Sequence, residues 1–188
     1  MTSSPGHEEG SSPRPASSGP SLVLVGAPGS GKSTVGRRVA STLGTRYVDT
    51  DDLVVQAAGM PVPEIFVTMG EPAFRELEEA AVAQGLLDSG VVLSLGGGAV
   101  IRERTRGLLS GHRVVWLRVS VSDAAARVGL GASRPLLMGN VRSRLATLMR
   151  EREAWYEAVS SVSVDTSGRP LEHVVSDVLA YAHQAGVH

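Results

Sequence analysis

Leu22-Val-Leu-Val25, followed directly by Gly26-Ala-Pro-Gly-Ser-Gly-Lys-Ser33, reads as a short buried strand that empties into a loop of the form G-x-x-x-x-G-K-[ST]. The glycines let the backbone curl until successive N–H groups point inward, and a helix starting near Lys32 adds its positive dipole end to the same hollow. Polyphosphate is what such a hollow binds best. Gly29, Ser30, Gly31 and Thr34 belong to this cradle, Lys32 is placed to reach the β- and γ-phosphates of ATP, and Ser33 supplies a hydroxyl ligand for Mg2+.

Beyond the loop, Val35, Val39 and Leu43 recur every four residues, with Arg37 and Arg38 on the opposite side, which predicts an amphipathic helix over Lys32–Leu43. Gly44 ends it. Thr45–Val48 then reads as a second strand running into Asp49-Thr-Asp51. In an open parallel sheet ligands gather at the carboxyl ends of the strands, so both acids share a crevice with the phosphate loop. If the chain stays extended, Asp49 and Asp51 lie on one side. Asp49 then supports the metal shell or takes the acceptor's proton, and Asp51 hydrogen-bonds acceptor hydroxyls.

Residues 52–87 predict two or three helices, broken at Gly59-Met-Pro-Val-Pro63 and near Met69-Gly70. Within Glu71–Glu79, Phe74 and Leu77 share a face, while Arg75 and Glu78, three residues apart, are helix neighbours. A solvated ion pair is the ordinary reading of that spacing. Val91–Leu95 forms a third strand, and Gly96-Gly-Gly98 after it suggests a close approach of backbone to a ligand or a plain tight turn.

A helix over Arg102–Leu109, a strand over Arg113–Val119 and a helix opened by Ser122-Asp123 follow. Gly129–Gly139 carries Arg134 between terminal glycines, as a closing flap over phosphates requires. A helix over Asn140–Ala158 has arginines that read mostly as a solvated face, Arg152 among them. A fifth strand over Ser161–Asp165 and a helix over Leu171–Ala185, with Val174, Val175, Val178 and Leu179 inward, complete the chain. Strands alternating with helices predict an α/β fold with helices on both faces of a parallel sheet.

With 188 residues, one domain is expected over 21–188, after a Ser/Pro/Gly-rich tail over 1–20 that has too little apolar surface to order itself. A net charge of −1 argues against nucleic acid or an anionic membrane as the main partner. The chain has no cysteine, which excludes disulfides and thiolate chemistry and is compatible with the cytoplasm. Its five histidines lack metal-ligand spacing. The guanine-reading Asn-Lys-x-Asp type of motif is absent, which turns the reading from switches and motors toward a small-molecule kinase. Arginines near the crevice suit an acceptor that carries a carboxylate.

Five stretches together resemble the shikimate kinase family: Gly26–Thr34, Asp49-Thr-Asp51, Gly70-Glu-x-x-Phe-Arg75 with Glu78, Gly96–Val100, and Arg134-Pro-Leu-Leu137 followed by Arg152. The resemblance runs over nearly everything from Leu22 onward. It implies a three-layer α/β/α kinase fold, a five-stranded parallel sheet in the order 2-3-1-4-5, and a mobile lid over about 129–140. It also implies that ATP phosphorylates the 3-hydroxyl of shikimate. Asp51, Arg75 and Arg152, with the backbone of Gly97 and Gly98, then hold shikimate, and Glu78 supports Arg75. Asp49 lies beside Mg2+ and the reacting hydroxyl, Lys32 and Arg134 meet the phosphates, and Arg127, Arg169 and Pro170 flank the adenine.

A monomer in the cytoplasm is expected, with small-molecule substrates and neither nucleic-acid nor membrane partners. The chain departs from the family pattern at Ala154, where a proline is frequent, and in the sparse charge of Gly129–Ser133. A gluconate-kinase-like enzyme on the same scaffold, or a nucleotide-binding regulatory module without turnover, are the alternatives.

Overall fold

β1 (Leu22–Val25) is wholly buried, and it sits at the centre of a parallel sheet with β2 (Arg46–Asp49), β3 (Val91–Ser94), β4 (Val114–Arg118) and β5 (Val162–Asp165). The sheet order is β2-β3-β1-β4-β5, the predicted order. Leu22 pairs with Val92 on one side, and Val23 with Val114 on the other. The computed structural model describes residues 19–129 and 138–187. The expectations for the tail up to Ser18 and for the lid over 130–137, Arg134 included, therefore fall outside the described residues.

The helices are α1 (Lys32–Thr42), α2 (Thr50–Ala58), α3 (Val62–Thr68), α4 (Gly70–Leu87), α5 (Glu103–Leu108), α6 (Val121–Gly129), α7 (Met138–Val159) and α8 (Leu171–Gln184). Successive side chains of a strand point to opposite faces, and β1 shows what this does. Leu22 and Leu24 pack with Val35 and Val39 of α1 and Val174 and Val178 of α8. Val23 and Val25 pack on the other face, with Val82 of α4, Leu109 and Tyr156 of α7. Because both faces are covered, the strand is apolar throughout rather than alternating. The result is the three-layer α/β/α arrangement.

The predicted element ends were one or two residues off, as fraying ends usually are. Two differences matter more. The chain does not stay extended past Asp49: Asp49 is the N-cap of α2, its side chain accepts from the Asp51 amide, and Asp51 lies in the first helical turn. An aspartate that can cap a helix does so at the first opportunity, because the first amides of the helix otherwise lack partners. The second concerns α7, which runs through Ala154 without a break. A proline there would have removed one backbone donor and crowded the preceding turn. Leu179, expected to face inward with the α8 valines, is only partly buried against their cluster.

Among the described residues no helix is long and apolar enough to cross a membrane.

Candidate active site

The turn from β1 into α1 is built on left-handed glycines, Gly29 at φ 78° and Gly31 at φ 89°, a backbone state that other residues adopt only with strain. Lys32 folds back over this loop and donates to the carbonyl oxygens of Gly26 (2.8 Å) and Ala27 (3.1 Å). Burial lowers its pKa to about 8, against the opposing charges of Asp49 and Asp51. The lysine thus closes the hollow with a cation whose present partners are neutral carbonyls. A polyphosphate would compete for it strongly.

Beside the loop, Arg127 donates to the Gly29 carbonyl (3.1 Å) and, through its other nitrogen, to the Thr166 carbonyl (2.7 Å). It ties the phosphate loop to the end of β5. Arg169 pairs with Asp177 at 2.8 Å and donates to the Asp165 carbonyl. Arg127 and Arg169 line one cavity of about 220 Å³ together with Gly31, Thr34 and Thr166. Pro170, the N-cap of α8, stands next to it.

The carboxylates stand across the loop. The Ser33 hydroxyl lies 3.4 Å from Asp49 Oδ2, and the Tyr47 hydroxyl donates to the same oxygen at 2.6 Å. Burial, reinforced by the bond to Asp49, pushes the Tyr47 phenol up to about 12. Asp51 is also raised, by burial first and by the neighbouring charge of Asp49 second. Among the described residues no group of three or more histidine, aspartate or glutamate side chains could cage a metal. The converging oxygens of Ser33 and Asp49 instead suit Mg2+, which usually takes one or two protein ligands and completes its octahedron with phosphate and water.

A second cluster is assembled from α4, α7 and the glycines after β3. Arg75 forms a 2.7 Å ion pair with Glu78 and a 3.0 Å pair with Glu71. Glu78 is 2 % exposed, so the expected solvated pair is instead a buried one. The sequence spacing was right, but the neighbours that cover it, Gly96 and Gly98, come from the turn after β3. Burial pushes the Glu78 carboxyl up while Arg75 opposes that shift.

Each of the three glycines has a steric reason. A Cβ on Gly96 would lie 2.7 Å from Asp51 Oδ1 and 2.8 Å from Glu78 Oε1, one on Gly97 would press on Pro28, and one on Gly98 would collide with the Arg75 guanidinium. Gly96 also donates its amide to Thr50 Oγ1 at 3.0 Å.

Arg152, read from its helix as mostly solvated, donates to the Gly97 carbonyl at 2.8 Å, and the Tyr156 hydroxyl donates to the same oxygen at 2.6 Å. The site therefore has Arg75 and Arg152 at one end, Asp51 and Glu78 beside them, and the phosphate loop beyond Asp49. Guanidinium groups can seize a carboxylate in two-pronged fashion, and Asp51 can accept from hydroxyls. A second cavity, also about 220 Å³, lies between β4 and α7 and is lined by Ala27, Trp116, Met149 and Glu153 among others. None of the sequence-predicted site residues lines it.

Four contributors were not singled out from the sequence: Tyr47, Thr50, Tyr156 and Thr166. Two carried a usable signal. Tyr156 is one helical turn after Arg152, and Tyr47 precedes Asp49 by two along a strand, which puts each on the same face as a candidate. Thr50 and Thr166 meet partners distant in sequence, and nothing local marks them.

Residues 28–183 match the family model described as shikimate kinase. A shikimate kinase from Thermobifida fusca is 51 % identical over 170 residues, which cover 90 % of this chain and 99 % of that one. One from Salinispora tropica is 51 % identical over 161 residues, covering 86 % and 96 %. Among solved structures, shikimate kinase from Acinetobacter baumannii in complex with shikimate superimposes with a TM-score of 0.82 at 28 % identity, over 92 % of this chain and 97 % of that one. The motifs, the sheet order and these matches agree over the same span, and the chain belongs to the shikimate kinase family.

Proposed function

We propose that the protein transfers the γ-phosphoryl group of ATP to the 3-hydroxyl of shikimate, giving shikimate 3-phosphate and ADP, a step of chorismate and aromatic amino-acid biosynthesis. The observation that carries this reading is the acceptor cluster: Arg75 locked on buried Glu78, and Arg152 anchored on Gly97. Two cations held this way suit a carboxylated ring, and Asp51 beside them suits its hydroxyls. A gluconate-kinase-like acceptor or a module without turnover is not favoured by this set.

In the reaction, Lys32 leaves the Gly26 and Ala27 carbonyls for the β- and γ-phosphates. Gly29, Ser30, Gly31 and Thr34 present the phosphate cradle, and Arg127, Arg169 and Pro170 border the adenine. Mg2+, held by Ser33 and supported by Asp49, would neutralise charge on the transferred group. Asp51, Arg75, Arg152 and the backbone of Gly97 and Gly98 align the acceptor hydroxyl for in-line attack, with Glu78 holding Arg75 in place. Arg134 joins the phosphates on the family resemblance. Residues 21–188 act as one kinase domain, monomeric and cytoplasmic.

ADP release from MgATP, measured with shikimate and with gluconate in parallel, tests the acceptor. Turnover confined to shikimate supports the reading, and equal or greater turnover with gluconate overturns it.

A further inference from the structure

We infer that Tyr47 is a positioning residue that commits the Asp49 carboxylate to the metal side of the site, so that the protein's response to Mg2+ depends on the Tyr47 hydroxyl. This rests on the reading of Ser33 and Asp49 as the metal-side pair.

The two oxygens of Asp49 have different duties. Oδ1 accepts from the Asp51 amide at 3.1 Å and caps α2. Oδ2 accepts the Tyr47 hydroxyl at 2.6 Å, within the short range typical of a hydroxyl on a charged acceptor, and faces Ser33 Oγ at 3.4 Å. An ionised carboxylate oxygen offers two lone-pair directions. Tyr47 takes one on Oδ2, and the other is left toward Ser33. Rotation about the terminal torsion of an aspartate is soft, and the cap alone fixes only one of its oxygens. The phenol supplies the second point of attachment.

Tyr47 is itself held in place independently of its hydroxyl. The Arg37 guanidinium lies 4.5 Å above the ring centroid. α1 crosses so near that a Cβ on Gly36 would stand 2.6 Å from Tyr47 Cε2. The ring is wedged between α1 and the sheet, and its strand position, two before Asp49, turns it to the same face. Removing the hydroxyl while leaving the ring therefore takes away the bond to Asp49, along with the hydroxyl's interactions with Ser33 and Ser94, without disturbing the ring's packing.

The test is Tyr47→Phe in the full chain. Calorimetry compares ADP binding with and without Mg2+, and steady-state kinetics measures the Mg2+ concentration at half-maximal rate. The expected result is metal-free ADP affinity within twofold of the parent. The gain in affinity from Mg2+ should shrink about fivefold, and half-saturating Mg2+ should rise by a similar factor, as losing one hydrogen bond of ordinary net strength produces. KM for shikimate should stay within about twofold. An unchanged Mg2+ response in both measurements overturns the inference, as does a change confined to KM for shikimate. If the parent enzyme binds MgADP but fails to turn over shikimate, the functional reading falls, and calorimetry alone still decides the role of Tyr47.

Discussion

Arg75 Nη1 stands 2.7 Å from Glu78 Oε2 across one turn of α4, and the glutamate of this pair is almost wholly buried. Breaking such a pair from one side leaves a charge in a dry place, which costs about 3–5 kcal/mol. Arg75→Met should therefore lower Tm by roughly 10 °C as well as raise KM for shikimate. Glu78→Gln, which keeps the shape and a hydrogen-bond acceptor for Arg75, should cost less in stability. Thermal melts of the two variants check the order.

Gly98 gives a separation of the two substrates. A methyl group there collides with the Arg75 guanidinium, which is the far end of a flexible side chain and can move aside. Gly98→Ala should displace the cation from Glu78, lowering Tm by up to the roughly 10 °C expected for Arg75→Met while raising KM for shikimate about tenfold or more and leaving KM for ATP near the parent value, since a misplacement of about 1 Å already costs about 100-fold in well-aligned sites. Steady-state kinetics with each substrate varied in turn reads the split.

The shared carbonyl of Gly97 leads to a milder prediction. Tyr156→Phe removes one of its two donors and leaves Arg152 in place. The loss should be about 1 kcal/mol of stability, with a KM change on the shikimate side only. Because Tyr156 is 2 % exposed and its ring stacks on Trp116, Tyr156→Ala should be far worse, at about 3–5 kcal/mol. Chemical denaturation of both variants separates the hydroxyl from the ring.

The lowered pKa of Lys32, about 8 in the free protein, makes nucleotide binding pH-dependent. Phosphates beside the ammonium raise its pKa in the complex, so between the two values the complex carries more protons than the free protein. Affinity then falls as pH rises through 8, by about tenfold between pH 7 and pH 9. Calorimetry of ADP binding in buffers of different ionisation enthalpy should show proton uptake near pH 8. Lys32→Met should abolish that uptake.

The proposed donor half of the site was legible because its chemistry is local. From Gly26 to Ser33 the residues proposed to meet phosphate are neighbours in sequence, and the strand before and helix after them follow from simple periodicity. The proposed acceptor half is assembled from α4, α7 and the turn after β3, and a single helix could not disclose it. Arg75 and Glu78 looked like a surface pair, and Arg152 looked like one arginine among several, until Gly96–Gly98 was brought over both. The family resemblance named these residues where periodicity could not. The extended path assumed for Asp49–Asp51 failed for a physical reason: an aspartate ahead of free amides caps a helix. Tyr47 escaped notice because a tyrosine in a strand reads first as packing, and its hydroxyl bond appears only once the strand is in place.

The central claim is that the two halves form one phosphotransferase site for shikimate, and the identity of the product tests it most directly. Phosphorus NMR and mass spectrometry of a mixture of protein, MgATP and shikimate should show ADP and shikimate 3-phosphate in equal amounts. ADP accompanied only by inorganic phosphate, or no shikimate-dependent ADP even at high protein concentration, would contradict it.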